Sequence, residues 1–160
     1  TPYIICNDYM YKELKNIKVP TTIMTNSAEN NGNIFGAVDY LNHKKDIINT
    51  GVTIKEYEGG ISYHGKSMTI DDDIAIVGSF NMDMRSAYID TELMLVINSK
   101  DINKQLKASM EEYEKKAATV KNETEYSHIP EGMKMKELSD KKKNIKAWFG
   151  WAMNGLRFLF

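Results

Sequence analysis

The sequence predicts an α/β fold, a mixed β-sheet flanked by helices. Over the first sixty residues, short β-branched and apolar runs alternate with longer segments of helical spacing. From residue 64 on, the strand-like runs cluster without a long helix between them. The chain has 160 residues, 42% of them apolar and 27% charged, which is enough for one domain with a real hydrophobic core.

Pro2 to Cys6 is a short apolar run and reads as a buried strand. Asn7 or Asp8 can cap the helix from Tyr9 to about Ile17, and Pro20 breaks it. Thr21 to Thr25 is a second strand. Asn26 to Asn33, rich in Asn, Ser and Gly, is a loop. Ile34, Val38, Leu41, Ile47 and Ile48 suit a helix running to about Asn49, with Gly51 as its stop. Val52 to Tyr57 is a third strand and Gly59-Gly60 a turn. Met68–Ile70 and Ile74–Val77 are two short strands around the acidic turn Asp71-Asp72-Asp73. Gly78 to Ser86 reads as a loop, and Glu92 to Ile97 as another buried strand. Ile102, Leu106, Met110, Tyr113 and Ala117 predict a helix from Asp101 to about Val120. Residues 1–121 would form the catalytic domain, 122–143 a polar connector, and 144–160 a basic amphipathic helix lined by Trp148, Trp151, Ala152, Gly155, Leu156 and Leu159.

The net charge of −1 gives no global basic field for bulk nucleic-acid binding. It hides a local excess of Lys141, Lys142, Lys143, Lys146 and Arg157 near the end. The single cysteine, Cys6, excludes an intrachain disulfide and reads as a small buried hydrophobe. No apolar run reaches transmembrane length. Thr1-Pro2 opens in a strand-like run with no initiator Met, so the chain is read as a piece of something longer.

The chemistry concentrates between His64 and Glu92. His64 and Lys66 are two apart, on one face of an extended segment. That pair is a poor way to build a core and a good way to meet a phosphate. Lys66 supplies a point charge for phosphate oxygens. His64 can attack phosphorus or carry a proton, because both of its forms are accessible near neutrality. Ser79 and Asn81 follow Gly78 and can aim a hydroxyl and an amide at the same oxygens, where Gly78 lets the backbone approach closely. Glu92 is an acid that can hold the second imidazole nitrogen. A cation site built from His64 and Asp71–Asp73 is opposed by the ammonium of Lys66. Thr25-Asn26-Ser27 either lines a substrate entrance at a strand end or is a plain polar turn.

His64-x-Lys66-x4-Asp71 followed by x6-Gly78-Ser79-x-Asn81 resembles the HKD signature of the phospholipase D superfamily, complete. Asp83, Arg85-Ser86 and Glu92 match the usual continuation. Upstream, Thr25-Asn26-Ser27, Tyr40, Gly51-Val52 and Glu56-Tyr57 are similar to the second, C-terminal half of bacterial cardiolipin synthases. The resemblance covers roughly Thr1 to Ile97; Asp90 departs from it, standing where many members have Asn.

The resemblance implies a phospholipase D-like half-domain and cofactor-free, metal-independent phosphodiester transfer through a phosphohistidine. His64 would be nucleophile or acid/base, with Glu92 its orienting partner. Lys66, Ser79 and Asn81 would bind the phosphoryl group, and Asp71 and Gly78 would support it. The family site uses two HKD motifs and this sequence has one, so a second is expected from a missing N-terminal half or from a homodimer. The implied partners are a phospholipid substrate and a membrane surface, and the implied location is the bacterial cytoplasmic membrane, peripherally. The C-terminal segment would lie in that surface or pack on the missing half, with the membrane favoured. Three alternatives stay open: a phospholipase D-type hydrolase, a dimeric single-motif nuclease acting on nucleic acid, and a binding module with an inactive site.

Overall fold

The computed structural model describes residues 1–149, 155 and 157. It shows the expected α/β class, with mixed sheets flanked by helices. The central unit is built from β2 (Thr22–Asn26), α2 (Ile34–Ile48) and β3 (Thr53–Tyr57). The strands pair in parallel, as two strands joined by a crossover helix must. Asn33 caps α2 through its side chain, which accepts from the Gly36 amide. Gly51, two residues beyond the helix cap, has φ +89°, where a Cβ would be strained. The first core cluster gathers Ile4, Cys6, Ile23, Tyr40, Ile47, Val52 and Ile54. Met10, Tyr11 and Leu14 of α1 (Asp8–Asn16) pack against it, and Asn7 caps that helix through the Met10 amide. Cys6 is fully buried, as expected, and burial pushes its thiol up to about 12. A two-residue strand, β1 (Ile4–Ile5), pairs in parallel with β6 (Met82–Asp83).

The hairpin is also as expected. β4 (Ser67–Ile70) and β5 (Ile74–Gly78) are antiparallel about the Asp71–Asp73 turn, where Asp71 adopts φ 47°. β7 (Met94–Asn98) adds to β5 to make a three-stranded antiparallel sheet.

Four expectations change. The helix starting near Asp101 is α4 (Lys100–Glu114), and it stops before Ala117. Ala117–Val120 is instead β8, drawn into the main sheet by antiparallel pairing with β3. The helical phase of Ala117 was coincidental, and the pairing with a strand sixty residues away decided. The segment read as a polar connector carries β9 (Tyr126–His128), which extends the main sheet to the order β2-β3-β8-β9. The Gly78–Ser86 loop contains β6 and the start of a short helix, α3 (Met84–Tyr88), capped by Asp83. The strand expected to be buried at residues 92–97 is exposed, with Leu95 at 59% and Val96 at 63%. An apolar run reports what a strand could bury, not whether a neighbour is present to bury it.

The C-terminal helix starts earlier than expected. α5 spans Asp140–Phe149, and two residues of the local basic excess, Lys142 on it and Arg157 beyond it, face inward. Lys142 is buried and donates to the carbonyls of Ala28, Glu29 and Asn31 at 2.8, 2.5 and 3.0 Å. Arg157 grips the buried Asp39 carboxylate and donates to the Cys6 carbonyl at 2.8 Å. Lys141, Lys143, Lys146 and Trp148 remain exposed. Trp151, Ala152, Leu156 and Leu159 lie outside the described residues. Among the described residues, no helix is long and apolar enough to cross a membrane.

Candidate active site

One end of the β4-β5-β7 sheet collects most of the residues singled out in the sequence. β4 starts just after His64 and Lys66, β5 ends on Gly78 with Ser79 next, and β7 starts just after Glu92. The Gly78 amide donates to the Lys66 carbonyl at 3.1 Å. The Ser79 amide donates to the Leu93 carbonyl, and the Leu93 amide returns a bond to Ser79 Oγ, each at 3.0 Å. These bonds tie the three strand ends together.

Gly78 is required by that closeness. A Cβ there would meet the Leu93 carbonyl oxygen, Met94 Sδ at 2.5 Å and Met94 Cα at 2.9 Å. The close approach expected of this glycine is thus made by the neighbouring strand. Gly65 is constrained too, because the Tyr63 ring lies over it, with Cζ 2.5 Å from where its Cβ would be.

Lys66 Nζ lies 2.8 Å from His64 Nδ1, 3.3 Å from Nε2 and 3.1 Å from the His64 carbonyl oxygen. Partial dehydration lowers the proton affinity of the His64 ring, and the Lys66 charge lowers it further. Dehydration also lowers the Lys66 pKa, against the opposing pull of Glu92 and Asp83. Glu92 accepts a hydrogen bond from Ser79 Oγ. The imidazole therefore has Lys66 for its neighbour in this structure, and the contact from Glu92 to His64 that the resemblance implies is not formed.

Asn81 lies two residues beyond Ser79. Its amide nitrogen is 3.4 Å from the Tyr3 hydroxyl, and its Oδ1 is buried with no hydrogen-bond partner among the described residues. Asp71 is not brought to this cluster. It sits at the opposite end of β4, about 13 Å away along four residues of strand. Its carbonyl accepts from Lys107 Nζ at 2.5 Å. His64 and the Asp71–Asp73 turn accordingly do not meet. Asp90 accepts from Arg85 Nε at 3.0–3.1 Å, so the departure from the signature forms a local ion pair.

A family model described as cardiolipin synthase, PLD-like domain, matches residues 1–113. The chain belongs to that family. Cardiolipin synthase A of Wigglesworthia glossinidia brevipalpis is 35% identical over 68 residues, which are 42% of this chain and 14% of that protein. Cardiolipin synthase A of Yersinia pseudotuberculosis serotype O:1b is 33% identical over 78 residues, 49% of this chain and 16% of that one. The matched stretch is thus a small part of those relatives' own length. Among solved structures, Nuc of Salmonella typhimurium, a phospholipase D family member, aligns with TM-score 0.58 and 18% identity over 74% of this chain and 78% of its own. Phosphatidylserine synthase of Haemophilus influenzae Rd KW20 aligns with TM-score 0.69 and 16% identity, over all of this chain and 40% of its own. At those identities the two structures are alike in fold.

The upstream positions that carried the family resemblance are buried, apart from the exposed Gly51. Thr25, Asn26 and Ser27 are 1%, 1% and 4% exposed, so they line no entrance. Ser27 Oγ donates to Glu58, and Asn26 bonds the backbone of Tyr63. Tyr40 donates to Glu56 at 2.6 Å, and Lys44 pairs with the same carboxylate at 2.8 Å. Tyr126 donates to the other Glu56 oxygen at 2.5 Å. Burial and the Glu56 charge push both phenols well above their ordinary range. Sequence reasoning missed Lys44 and Tyr126. Lys44 is four residues after Tyr40 on the helix predicted there, which was the available signal.

Proposed function

We propose that this chain supplies one half of the active site of a cardiolipin synthase-type phosphatidyltransferase. The carrying observation is the convergence of His64, Lys66, Gly78-Ser79 and Glu92 at one sheet end in a chain of this family. A donor phosphatidylglycerol would place its phosphate oxygens against Lys66, Ser79 and Asn81, all donors to an anion. These oxygens compete with His64 for the Lys66 ammonium. As Lys66 leaves the ring, His64 regains proton affinity.

One histidine of a two-motif site attacks phosphorus, the P–O bond to glycerol breaks, and the other histidine protonates the leaving alkoxide. That second histidine then takes the proton of an incoming hydroxyl on another phosphatidylglycerol. The hydroxyl oxygen attacks the phosphohistidine, the P–N bond breaks, and cardiolipin is released. His64 takes the acid/base role, and Glu92 would orient it after exchanging the hydrogen bond it accepts from Ser79 for one from the imidazole. The other histidine comes from a second HKD motif, in the same polypeptide or in another copy.

The need for a partner is supported by the face on which the site sits. Lys66 leads directly into β4, where Met68 and Ile70 share a face and Met68 is paired across Ile76 to Val96. Met68 is 49% exposed and Val96 63%, so the half-site runs into uncovered apolar surface. Lys141, Lys143, Lys146 and Trp148 on α5 are exposed and suit contact with an anionic bilayer, consistent with peripheral action at the bacterial cytoplasmic membrane.

The test is the full-length protein incubated with phosphatidylglycerol vesicles. Cardiolipin and glycerol are the expected products, and His64→Ala abolishes both. Phosphatidic acid in place of cardiolipin would reassign the protein as a hydrolase. Cleavage of DNA with no lipid product would replace the reading with a nuclease.

A further inference from the structure

His64 sits in a stretch that no strand supports. Between β3 and β4, residues 58–66 have no regular secondary structure. Their backbone polar groups need partners nonetheless. Two buried asparagines provide several of them. Asn26 Oδ1 accepts from the Tyr63 amide at 2.7 Å, and its Nδ2 donates to the Tyr63 carbonyl at 2.8 Å. Nδ2 also donates to the Pro2 carbonyl at 2.8 Å, and Oδ1 accepts from Asn30 Nδ2 at 3.1 Å. The amide thus uses its two donors and two acceptor sites. Asn30 in turn accepts from the Gly60 amide at 3.0 Å and donates to the Ile61 carbonyl at 3.2 Å.

We infer that Asn26 is a positioning residue for His64, its side-chain amide replacing the missing strand neighbour of Tyr63. One side chain satisfies both the N–H and the C=O of Tyr63, as an adjacent strand would. His64 and Gly65 then span two fixed points, Tyr63 on Asn26 and the Lys66 carbonyl on the Gly78 amide. The Tyr63 ring closes the arrangement by packing edge-on against Tyr113 at 4.8 Å and Tyr57 at 6.2 Å. The hydrogen bonds of the Asn26 amide go to Pro2, Asn30 and Tyr63 and not to His64, so it acts through this backbone anchor.

The significance of this anchor rests on the proposed role of His64, but its test needs no turnover. In the full chain, Asn26→Leu removes the amide bonds at similar volume and adds no charge. Amide exchange at Tyr63 should speed up at least tenfold, and the His64 ring resonances should move, with their titration returning toward the ordinary value. Asn103→Leu is the control. Asn103 is equally buried and donates to the Ile74 carbonyl at 2.6 Å, so its loss costs stability at a distance from His64. It should leave Tyr63 exchange and the His64 titration unchanged. If Asn26→Leu does not fold, Asn26→Ser gives the same readouts with a smaller change. Unaltered Tyr63 and His64 signals in the folded Asn26 variant would overturn the inference, as would equal changes in Asn103→Leu. Failure of lipid transfer in the full-length protein, with these signals behaving as expected, would overturn the proposed function and leave the anchor standing.

Discussion

Gly78→Ala is the sharpest perturbation of the site that leaves every polar group in place. The added methyl would lie 2.5 Å from Met94 Sδ and 2.9 Å from Met94 Cα, besides colliding with the Leu93 carbonyl. The thioether can swing away, but the Met94 and Leu93 backbone cannot do so without opening the β5–β7 ladder. About 1 Å of separation is needed to restore ordinary contact. At that spacing three bonds fail: Ser79 amide to Leu93 carbonyl, Leu93 amide to Ser79 Oγ, and Ser79 Oγ to Glu92. At about 1 kcal/mol each, the loss is about 3 kcal/mol. For a chain of this size that corresponds to a fall in Tm of roughly 6–12 °C. Because Ser79 and Glu92 move with the ladder, transfer activity of the full-length protein should fall about a hundredfold, the usual consequence of a 1 Å misplacement. Thermal unfolding and a lipid transfer assay measure the two effects. Gly32→Ala is the control, since a Cβ there meets only Ser62 atoms at 3.6 Å. A Gly78→Ala protein with the wild-type Tm and wild-type activity would refute the close-approach argument.

Two further predictions follow from charges. Lys66→Met removes the ammonium that, together with dehydration, lowers the His64 pKa. The protonated imidazole is then less disfavoured, so the His64 titration seen by NMR should move up toward 6.5, its ordinary value, and a downward shift would contradict the charge argument. Glu56→Gln leaves Lys44, 5% exposed, without its carboxylate. Urea unfolding should show a loss of about 3–5 kcal/mol, and a loss below about 1 kcal/mol would mean the pair is dispensable.

Much of this was legible in the residue order. His64, Lys66, Gly78, Ser79 and Glu92 meet because two short strands around an acidic turn must fold back, and the next strand pairs beside them. That outcome depends on local turn chemistry and alternation, which a sequence displays directly. Asp71 stayed away for the same reason: as a turn residue it occupies the far end of the hairpin from His64. What was illegible depended on distant partners. Ala117 and Val120 fit a helix until β3 claimed them. Lys142 looked like surface charge, and only the fold brings three carbonyls of the residue 28–31 loop to its ammonium. Asn26 reads as an entrance residue or a polar turn, since nothing in its neighbours announces that Tyr63 will need both a donor and an acceptor.

The two parts of the fold are held by different forces, and this bears on where mutations should be felt. The β2-β3-β8-β9 sheet carries buried apolar residues and the buried Glu56–Lys44 pair. The β4-β5-β7 sheet, which carries the site, has one buried residue in its strands, Ala75. Apolar burial therefore does little to fix its position. Polar tethers contribute instead: Asn26 on Tyr63, Asn103 on the Ile74 carbonyl, and Lys107 on the Asp71 carbonyl. Each is made of directional bonds to backbone groups, so each specifies geometry more than it adds stability. Losing the Asn26 tether should displace the His64 end of the site, and losing Asn103 or Lys107 only the far turn of the hairpin, while the main core stays folded. Losing a core residue should instead lower the unfolding free energy of the chain with little prior change at His64. The site thus rests on the part of the molecule whose local opening is least costly, and the tethers decide how far it opens.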